Sequence, residues 1–402
     1  MGGKKIPEFV PTKYTTYYSY PRRIERRYYI SMASYKEQRQ PHVVQVAIGC
    51  FHALLLGADG TVWSTGTGEE VQLGHRVLVT SWVPKPIAAL VGLRIVQVAA
   101  GAAHSLFRTE GGDVLSCGFG CKGQLGHGDK ETQLVPKLVA ALKGRRVVQV
   151  EAGDNNSMFV TKGGAVLFCG KGAGEGPSDI NYDLKEDKLV PTRIVAGLKG
   201  MCVVQVSLSN NHVLFLTKDG EVLSCGDGWN GRLGHGNTEH QLVPKLIVAL
   251  KGRRVVQVEA NGYCSLYLLE NGTVFLSGLH VYPDMKHDLT PKLVEGLKGR
   301  RVVQVASGFT HVMFLTDDGA VLSCGLGEYG QLGHGDEETK LKPKLVAALE
   351  GRLITNIATT TSVAMFVENN GKVHACGDAR GGRTGTGPVT AWEIHTPKQV
   401  IL

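Results

Sequence analysis

The chain lacks any long hydrophobic run. No apolar stretch in its 402 residues approaches the roughly 20 residues that a helix needs to cross a bilayer. Its start, MGGKKIPEFVPTKYTTYY, also lacks the apolar core of a secretory signal peptide. We therefore expect an intracellular protein with no membrane partner. Its place would be the cytoplasm, where a cytoskeletal assembly is one option, or the nucleus.

The cysteines lack the paired spacing that zinc sites use. Nine are present, and none belongs to a CxxC pair. Equivalent positions in successive repeat units are expected to lie about 10 Å apart, beyond the ~7 Å between Cα atoms that a disulfide can bridge. We predict small buried thiols, with no disulfide and no zinc, at the position that recurs just before a strand-ending glycine: Cys117, Cys169, Cys225, Cys324 and Cys376.

Recognisable catalytic chemistry is also missing. The sequence contains no nucleophile and base in a supporting context. Its GxG segments, Gly118–Gly120 and Gly325–Gly327, end strands instead of opening a helix, so they are not phosphate cradles. We predict no catalytic residue and no cofactor, and hence a protein that is not an enzyme in the bond-making sense.

What the chain does contain is repetition. The text LVPKLVAALKGRRVVQV ends at Val150, LVPKLIVALKGRRVVQV ends at Val258, and LTPKLVEGLKGRRVVQV ends at Val305. The VVQV phrase or a variant of it begins, at spacings of 47 to 56 residues, at Val43, Ile95, Val147, Val203, Val255, Val302 and Ile354. Repetition at a fixed period indicates structural units that share one continuous core. The chain therefore has seven units.

Each unit reads as four short strands. The first is VVQV, the second is a segment such as HSLFRT, the third is VLSCG after a turn such as Asp219-Gly220, and the fourth is PKLVAAL. Four antiparallel strands repeated seven times predict an all-β fold, a seven-bladed β-propeller over residues 43–402. The segment Pro397–Leu402 ends where an eighth VVQV would begin, so the chain ends are predicted to meet and close the ring.

Two sets of histidines recur at fixed positions. One set is His52, His104, His212 and His311, and the other is His75, His127, His235 and His334. A metal site would require several of them to converge, yet each lies in its own unit. We expect a local hydrogen bond from each imidazole to loop backbone, and no metal site.

Residues 1–42 form a basic, tyrosine-rich N-terminal arm outside the array. It holds nine Lys or Arg against three Glu, and seven of the chain's twelve tyrosines. Tyr and Arg are common anchors of buried interfaces, so we predict that the arm orders against a protein surface. Nucleic acid is the alternative, because Arg and aromatic rings also suit phosphates and bases. The predicted contact residues are Tyr17, Tyr18, Tyr20, Arg22, Arg23, Arg26, Arg27, Tyr28 and Tyr29.

Two further segments are candidate binding surfaces. Basic loops place Arg145, Arg146, Arg253, Arg254, Arg300 and Arg301 on the face that also carries the acidic hairpins. This basic rim is either a solvated surface of mixed charge or a site for an acidic partner. The loop 171–188 replaces the usual GQLGHGD with the acids Glu175, Asp179, Asp183, Glu186 and Asp187, and is either adapted for binding or a tolerated insertion.

Several motifs carry a family resemblance. They are GQLGHGD at 123–129 and 330–336, GRLGHGN at 231–237, and VAxGxxH at 98–104 and 305–311. The chain thus resembles the regulator of chromosome condensation repeat family, which implies a seven-bladed propeller. Cysteine often stands where family repeats place Trp, and only four Trp are present. We therefore expect neither the ultraviolet-sensing role of the plant branch nor, without a ligase domain, a ubiquitin-ligase role.

Two functions follow from these observations. The first is a scaffold that holds protein partners in an assembly, partly through the arm. The alternative, implied by the family's founding member, is guanine-nucleotide exchange on a Ran-type small GTPase, associated with chromatin. The inserted wedge that supports exchange in that member has no counterpart that we can match here. The oligomeric state stays open.

Overall fold

A computed structural model describes residues 41–171, 187–279, 287–388 and 392–402. This part of the chain forms 28 strands in seven four-stranded antiparallel sheets. In every sheet the four strands lie side by side in the order in which they occur along the chain. The prediction of an all-β, seven-bladed propeller is confirmed. No helix of the described residues is long and apolar enough to cross a membrane.

The first two strands of each blade form its inner half, and the first strands line the central channel. The first strands are Val43–Ile48, Ile95–Ala100, Val147–Ala152, Val203–Leu208, Val255–Ala260, Val302–Ser307 and Ile354–Thr359. The second strands are His52–Gly57, His104–Thr109, Asn156–Thr161, His212–Thr217, Cys264–Leu269, His311–Thr316 and Val363–Glu368.

The third and fourth strands form the outer half. The third strands are Val62–Gly66, Val114–Gly118, Val166–Gly170, Val222–Gly226, Val274–Leu279, Val321–Gly325 and Val373–Asp378. The fourth strands are Ser81–Pro86, Gln133–Leu138, Lys188–Arg193, Gln241–Leu246, His287–Leu293, Lys340–Leu345 and Glu393–Gln399.

The fourth strand differs from its prediction. In blade 2 it begins before the proline, at Gln133, and ends at Leu138, while Ala140–Leu142 forms a single 3-10 turn. The proline has no N–H for the sheet, and it lies where the pairing with the third strand is irregular. The turn then buries Leu142 completely between two blades, so the predicted PKLVAAL strand is wrong in its second half.

The hydrophobic core lies between blades, not within them. Seven buried clusters occur, and each contains side chains of two consecutive blades. The seventh cluster joins blade 7 to blade 1 through residues such as Met365, Val400 and Val43. The ring is therefore closed. The last strand pairs with the third strand of its own blade, at His374↔Gln399, so closure rests on packing between blades and not on a shared sheet.

All nine cysteines are free. The five that precede the strand-ending glycines are buried, as predicted. Three of these thiols also point at a loop carbonyl of the preceding blade, and the Cys117 Sγ lies 3.7 Å from the Gln72 carbonyl oxygen. Thr65 occupies the same position in blade 1 and donates to the Gly382 carbonyl at 2.9 Å. A small side chain with a donor therefore suits this position.

Candidate protein-binding surfaces

The hairpin rim is the edge of the ring where two kinds of loop meet. One kind precedes the first strand of each blade, and the other is the hairpin between the second and third strands. A backbone hydrogen bond joins them, as from Glu110 N to Arg94 O at 3.0 Å and from Glu270 N to Arg254 O at 3.0 Å. The basic loops and the acidic hairpins therefore share one face.

All six arginines of the predicted basic rim are exposed: Arg145, Arg146, Arg253, Arg254, Arg300 and Arg301. Several are engaged locally. The Arg253 guanidinium lies 4.6 Å from the centre of the Phe275 ring, and Arg301 Nη2 donates to the Glu270 carbonyl at 3.0 Å. Exposed contacts of this kind add little to stability. Their charges stay available to a partner.

In some blades an ion pair joins the loop before the first strand to the hairpin of the same blade. Arg94 Nε lies 3.3 Å from Glu110 Oε1, and Arg254 Nε lies 3.3 Å from Glu270 Oε1. At the equivalent place in blade 3, Lys162 stands opposite Arg146, and the Lys162 N–H donates to the Arg146 carbonyl at 2.9 Å. The charge pattern of the rim therefore changes from blade to blade.

Most of the other predicted contact residues lie outside the described residues. This holds for the arm (Tyr17, Tyr18, Tyr20, Arg22, Arg23, Arg26, Arg27, Tyr28, Tyr29) and for four loop acids (Glu175, Asp179, Asp183, Glu186). Asp187 is described, and its Oδ2 lies 3.4 Å from Lys130 Nζ of blade 2. The end of the acidic loop is thus tied to the neighbouring blade.

The first histidine set joins neighbouring blades. His104 Nε2 lies 2.9 Å from Ser157 Oγ of the next blade, and the Ser157 hydroxyl donates to the Gln124 carbonyl at 2.8 Å. The imidazole must therefore donate through Nε2. His52, His212 and His311 make the same contact to Ser105, Ser265 and Thr359. The predicted partner, loop backbone, is wrong, because the next blade brings a hydroxyl within reach.

Burial keeps this first set neutral. It lowers the pKa of His104 to about 4 and, for His52, His212 and His311, to about 3. All four side chains are buried, so no substrate can reach them. These His–hydroxyl pairs resemble a general base and its nucleophile only in composition.

The second set acts within a blade. His127 Nε2 lies 3.0 Å from Ser116 Oγ, and the Ser116 hydroxyl donates to the Leu125 carbonyl at 2.8 Å. His75, His235 and His334 repeat this arrangement with Ser64, Ser224 and Ser323. The histidines fasten the Gly-rich connection to the third strand.

Sequence reasoning missed the role of the glutamine of VVQV, which joins the first strands of neighbouring blades by hydrogen bonds. Gln97 Nε2 donates to the Val150 carbonyl at 3.2 Å, and the Val150 N–H donates to Gln97 Oε1 at 3.1 Å. Each such side chain thus forms two hydrogen bonds to the backbone of the first strand of the next blade, and we call this pair of bonds a clasp. The signal was visible as a polar residue repeated at the centre of an apolar strand. The clasps belong to Gln45, Gln97, Gln149, Gln205, Gln257 and Gln304.

The ring closes with a shorter side chain. In blade 7 the position is Asn356, whose Oδ1 accepts from the Val46 N–H at 3.2 Å. The side chain of asparagine is one methylene shorter than that of glutamine. It makes this single hydrogen bond where each glutamine makes two. The joint between blades 7 and 1 therefore has the weakest clasp of the seven.

Two glutamates face the central channel. Glu151 and Glu259 line a cavity of about 280 Å³ that the first strands enclose. Burial raises the pKa of Glu259 to about 7, and burial together with the charge of Glu259 raises that of Glu151 well above its ordinary value. The channel therefore gains or loses protons near neutral pH. Sequence reasoning gave no role to either residue.

Metal-type ligands come together at one place among the described residues. Glu337, Glu393 and His395 have ligand atoms within 4.8 Å of one another, on the face opposite the hairpin rim. His395 Nε2 lies 3.2 Å from Glu337 Oε1 and 4.0 Å from Glu393 Oε2. The cluster lies where the fourth strand of blade 7 meets a loop of blade 6.

Known proteins are similar to this chain in sequence. The human E3 ubiquitin-protein ligase HERC2 is 33% identical over 321 residues, which are 78% of this chain and 6% of HERC2. The ultraviolet-B receptor UVR8 of Arabidopsis thaliana is 28% identical over 346 residues, which are 86% of this chain and 67% of UVR8. The chain thus spans a small part of the ligase and two thirds of the receptor.

Solved structures share the fold. Human WBSCR16 has a TM-score of 0.72 at 24% identity and covers 82% of this chain and 88% of its own. Prp20p of Saccharomyces cerevisiae, described with its binding to Gsp1p and histones, has a TM-score of 0.75 at 21% identity and covers 87% and 88%. The profile of the RCC1-like domain matches residues 80–402. The chain belongs to the RCC1-like domain family.

Proposed function

We propose that the protein is a non-enzymatic scaffold for protein–protein interaction. One observation carries this proposal: the histidine–hydroxyl pairs, which have the composition of a base and a nucleophile, are buried and hold neighbouring blades together. The Ser157 hydroxyl is committed to the Gln124 carbonyl, and the buried, neutral His104 donates to that hydroxyl. The exposed groups are instead the charged loops of the hairpin rim, which vary between blades. Variation on a rigid frame is typical of binding surfaces.

The arm gives the scaffold its second contact. Its tyrosine rings supply apolar area, and each guanidinium can form paired hydrogen bonds or stack on a ring. Residues 1–42 carry most of the chain's net charge of +8. An arm of this composition would dock the propeller to a protein surface in an assembly. Nucleic acid stays the alternative ligand of the arm.

The alternative function is guanine-nucleotide exchange on a Ran-type GTPase. Prp20p, which was studied for its binding to Gsp1p and histones, has the same fold. If exchange occurs here, we expect the acidic loop 171–188 to carry it, because that loop abandons the turn chemistry of the other blades. The loop therefore offers a variant that separates the two functions.

One experiment tests the two functions together. Release of a fluorescent nucleotide from Ran is measured with the full chain and with a variant whose loop is replaced by the blade 2 sequence GFGCKGQLGHGDKETQ. The scaffold predicts no acceleration by either protein. In parallel, proteins that co-purify with the full chain from cells are compared with those retained by residues 41–402. The scaffold predicts a defined set that needs the arm. Acceleration by the full chain alone would instead assign exchange to the loop.

A further inference from the structure

The hairpin rim repeats one geometry with different charges. In each blade a residue before the first strand meets a hairpin residue through a backbone hydrogen bond. At blades 2 and 5 this pair is Arg with Glu: Arg94 with Glu110, and Arg254 with Glu270, each at 3.3 Å. At blade 7 the equivalent residues are Leu353 and Asn369, and the ion pair there lies one position earlier on each segment, with Arg352 Nη1 2.7 Å from Glu368 Oε1. Where an arginine precedes the first strand and a glutamate stands in the hairpin, the chain therefore neutralises that arginine itself.

Blade 3 keeps the arginine of blades 2 and 5 but has a lysine in place of their glutamate. Its pair is Arg146 with Lys162, held together by the 2.9 Å backbone bond, and both side chains are exposed. Within the described part of the chain, neither side chain has an ion-pair partner. Two adjacent cations repel each other instead of attracting, and water screens the repulsion only in part. An anion from outside the chain would take the place that Glu110 and Glu270 fill elsewhere.

The neighbouring loops enlarge this positive surface. The rim segments 143–146, 161–165 and 198–202 contain no Asp or Glu. They carry five exposed cations that we name the blade 3 cation cluster: Lys143, Arg145, Arg146, Lys162 and Lys199. The cluster spans two consecutive joints between blades. An extended chain of carboxylates matches this spread better than a single small anion does.

Backbone strain marks the same place. Arg146 has a φ of 49°, a left-handed conformation that is unfavourable for a residue with a side chain. The equivalent residues Arg94 and Arg254 do not share it. Strain of this kind persists at sites where the surroundings impose it, and it concentrates at binding sites. Arg146 is thus singled out both by its missing partner and by its backbone.

We propose that the blade 3 cation cluster binds an acidic, extended segment of a partner protein. This inference rests on the proposed scaffold function and gives its propeller a specific contact. The guanidinium of Arg146 would take a carboxylate through two parallel hydrogen bonds. Lys162 and Lys143 would supply charge without a fixed geometry.

The test uses a fluorescein-labelled peptide of ten glutamates and the full chain, with polarisation as the readout. Lys162→Glu recreates the Arg–Glu pair of blades 2 and 5, and should weaken binding at least tenfold while the melting temperature is kept. The control for the same change of charge is Lys251→Glu, in the loop before the first strand of blade 5 at the position that Lys143 has in blade 3, and it should change affinity less than twofold. Glu110→Lys creates a second pair of cations, and should strengthen binding severalfold.

Equal losses from Lys162→Glu and Lys251→Glu would overturn the inference, since binding would then follow net charge alone. Tighter binding of a 20-base-pair DNA duplex through the same residues would also overturn it, in favour of nucleic acid. Failure here is distinct from failure of the scaffold function. The set of proteins that needs the arm would survive Lys162→Glu, whereas acceleration of nucleotide release on Ran would contradict the scaffold whatever the peptide does.

Discussion

The inner wall of the ring and its hairpin rim follow opposite rules. On the inner wall the same contact returns at joint after joint, as with Gln97 on Val150 and Gln205 on Val258. On the rim the geometry returns but the charges do not, as Arg94–Glu110 and Arg146–Lys162 illustrate. Repetition therefore marks what holds the ring together. Departure from repetition marks where a partner is to be sought.

Cutting the closing joint should have the largest effect on stability. Deletion of Pro397–Leu402 removes three of the seven residues of the last strand, and also Val400, which is 3% exposed and packs between blades 7 and 1. We expect the free energy of unfolding to fall by about 3 kcal/mol or more, and the melting temperature by about 5 °C or more. Calorimetry of the truncated chain measures both.

Deletion of only Ile401 and Leu402, which are both exposed, is the control. It should change the melting temperature by about 2 °C or less. If the six-residue truncation also melts within about 1 °C of the full chain, the joint between blades 7 and 1 does not hold the ring closed.

Removing one clasp should cost less than opening the ring. In Gln205→Ala the Val258 N–H and carbonyl lose partners at 3.0 and 3.1 Å while they stay buried. An unsatisfied buried group costs about 1–3 kcal/mol, so urea unfolding should show a loss of about 2–4 kcal/mol. Val204→Ala next to it, on an exposed side chain, should stay within about 0.5 kcal/mol.

The closing joint offers the reverse change. Asn356→Gln restores the missing methylene and allows a second hydrogen bond to blade 1. The free energy of unfolding is expected to rise by up to about 1 kcal/mol, because one hydrogen bond is added.

The clasp prediction has a clear contrary outcome. If Gln205→Ala and the unchanged chain are equally stable, the clasps do not stabilise the ring and packing alone holds the blades together.

The sequence predicted the blades because local patterns carry them. Turn dipeptides such as Asp219-Gly220 and the short apolar runs define each strand without any knowledge of neighbours. Contacts between blades are different. The role of Gln97 depends on a strand 53 residues away, and the partner of His104 is a hydroxyl that only the packing of the next blade brings near. The repeated polar residue of VVQV indicated that this position has a structural role, but not which contact it makes.

The rim shows a second limit of sequence reasoning. The arginines were recognised as a group, but their partners were not, because each loop residue meets a hairpin residue 16 positions further along the same blade. Seven copies aligned by position would reveal that Lys162 stands where Glu110 and Glu270 stand. The meaning of that difference requires the 3.3 Å ion pairs of blades 2 and 5.

The channel should make stability depend on pH. The pKa of Glu259 is raised by burial to about 7, above its ordinary value of 4.5, with Glu151 facing the same cavity and Gln257 and Ser207 bonded to it. The folded state therefore binds this proton more tightly than the unfolded state. The stability that the folded state gains from binding this proton is fully present below about pH 4.5 and is lost as the pH rises through 7.

The substitution Glu259→Gln removes the ionisable carboxyl and therefore the loss of stability as the pH rises. At pH 8 the variant should be more stable than the unchanged chain by about 1–3 kcal/mol, and at pH 5 by less than about 0.5 kcal/mol. Urea unfolding at the two pH values gives the difference. Glu221→Gln, at an exposed position, should show no such pH dependence. A gain that is equal at both pH values would point to packing instead of ionisation.

The arm should affect partners and leave the ring unchanged. Changing Tyr17, Tyr18, Tyr28 and Tyr29 to Ser keeps every arginine, and changing Arg22, Arg23, Arg26 and Arg27 to Gln keeps every tyrosine. For an arm that docks on a protein, the tyrosine variant should release the partner, because aromatic rings carry most of the energy of such contacts. The melting temperature of the propeller should stay within about 1 °C, since the strands begin at Val43.

Salt distinguishes protein from nucleic acid as the ligand of the arm. Binding to phosphates weakens steeply with salt, with a log–log slope near one for each contact, whereas a tyrosine-anchored interface weakens only mildly. Partner binding is therefore measured from low salt to about 0.3 M, a range over which the Debye length falls below about 10 Å. Survival of binding in the tyrosine variant, together with its loss in the arginine variant and a steep slope, would make the arm an electrostatic tail. The arm would then act by charge alone, without the fixed carboxylate contact that is proposed for Arg146 in the blade 3 cation cluster.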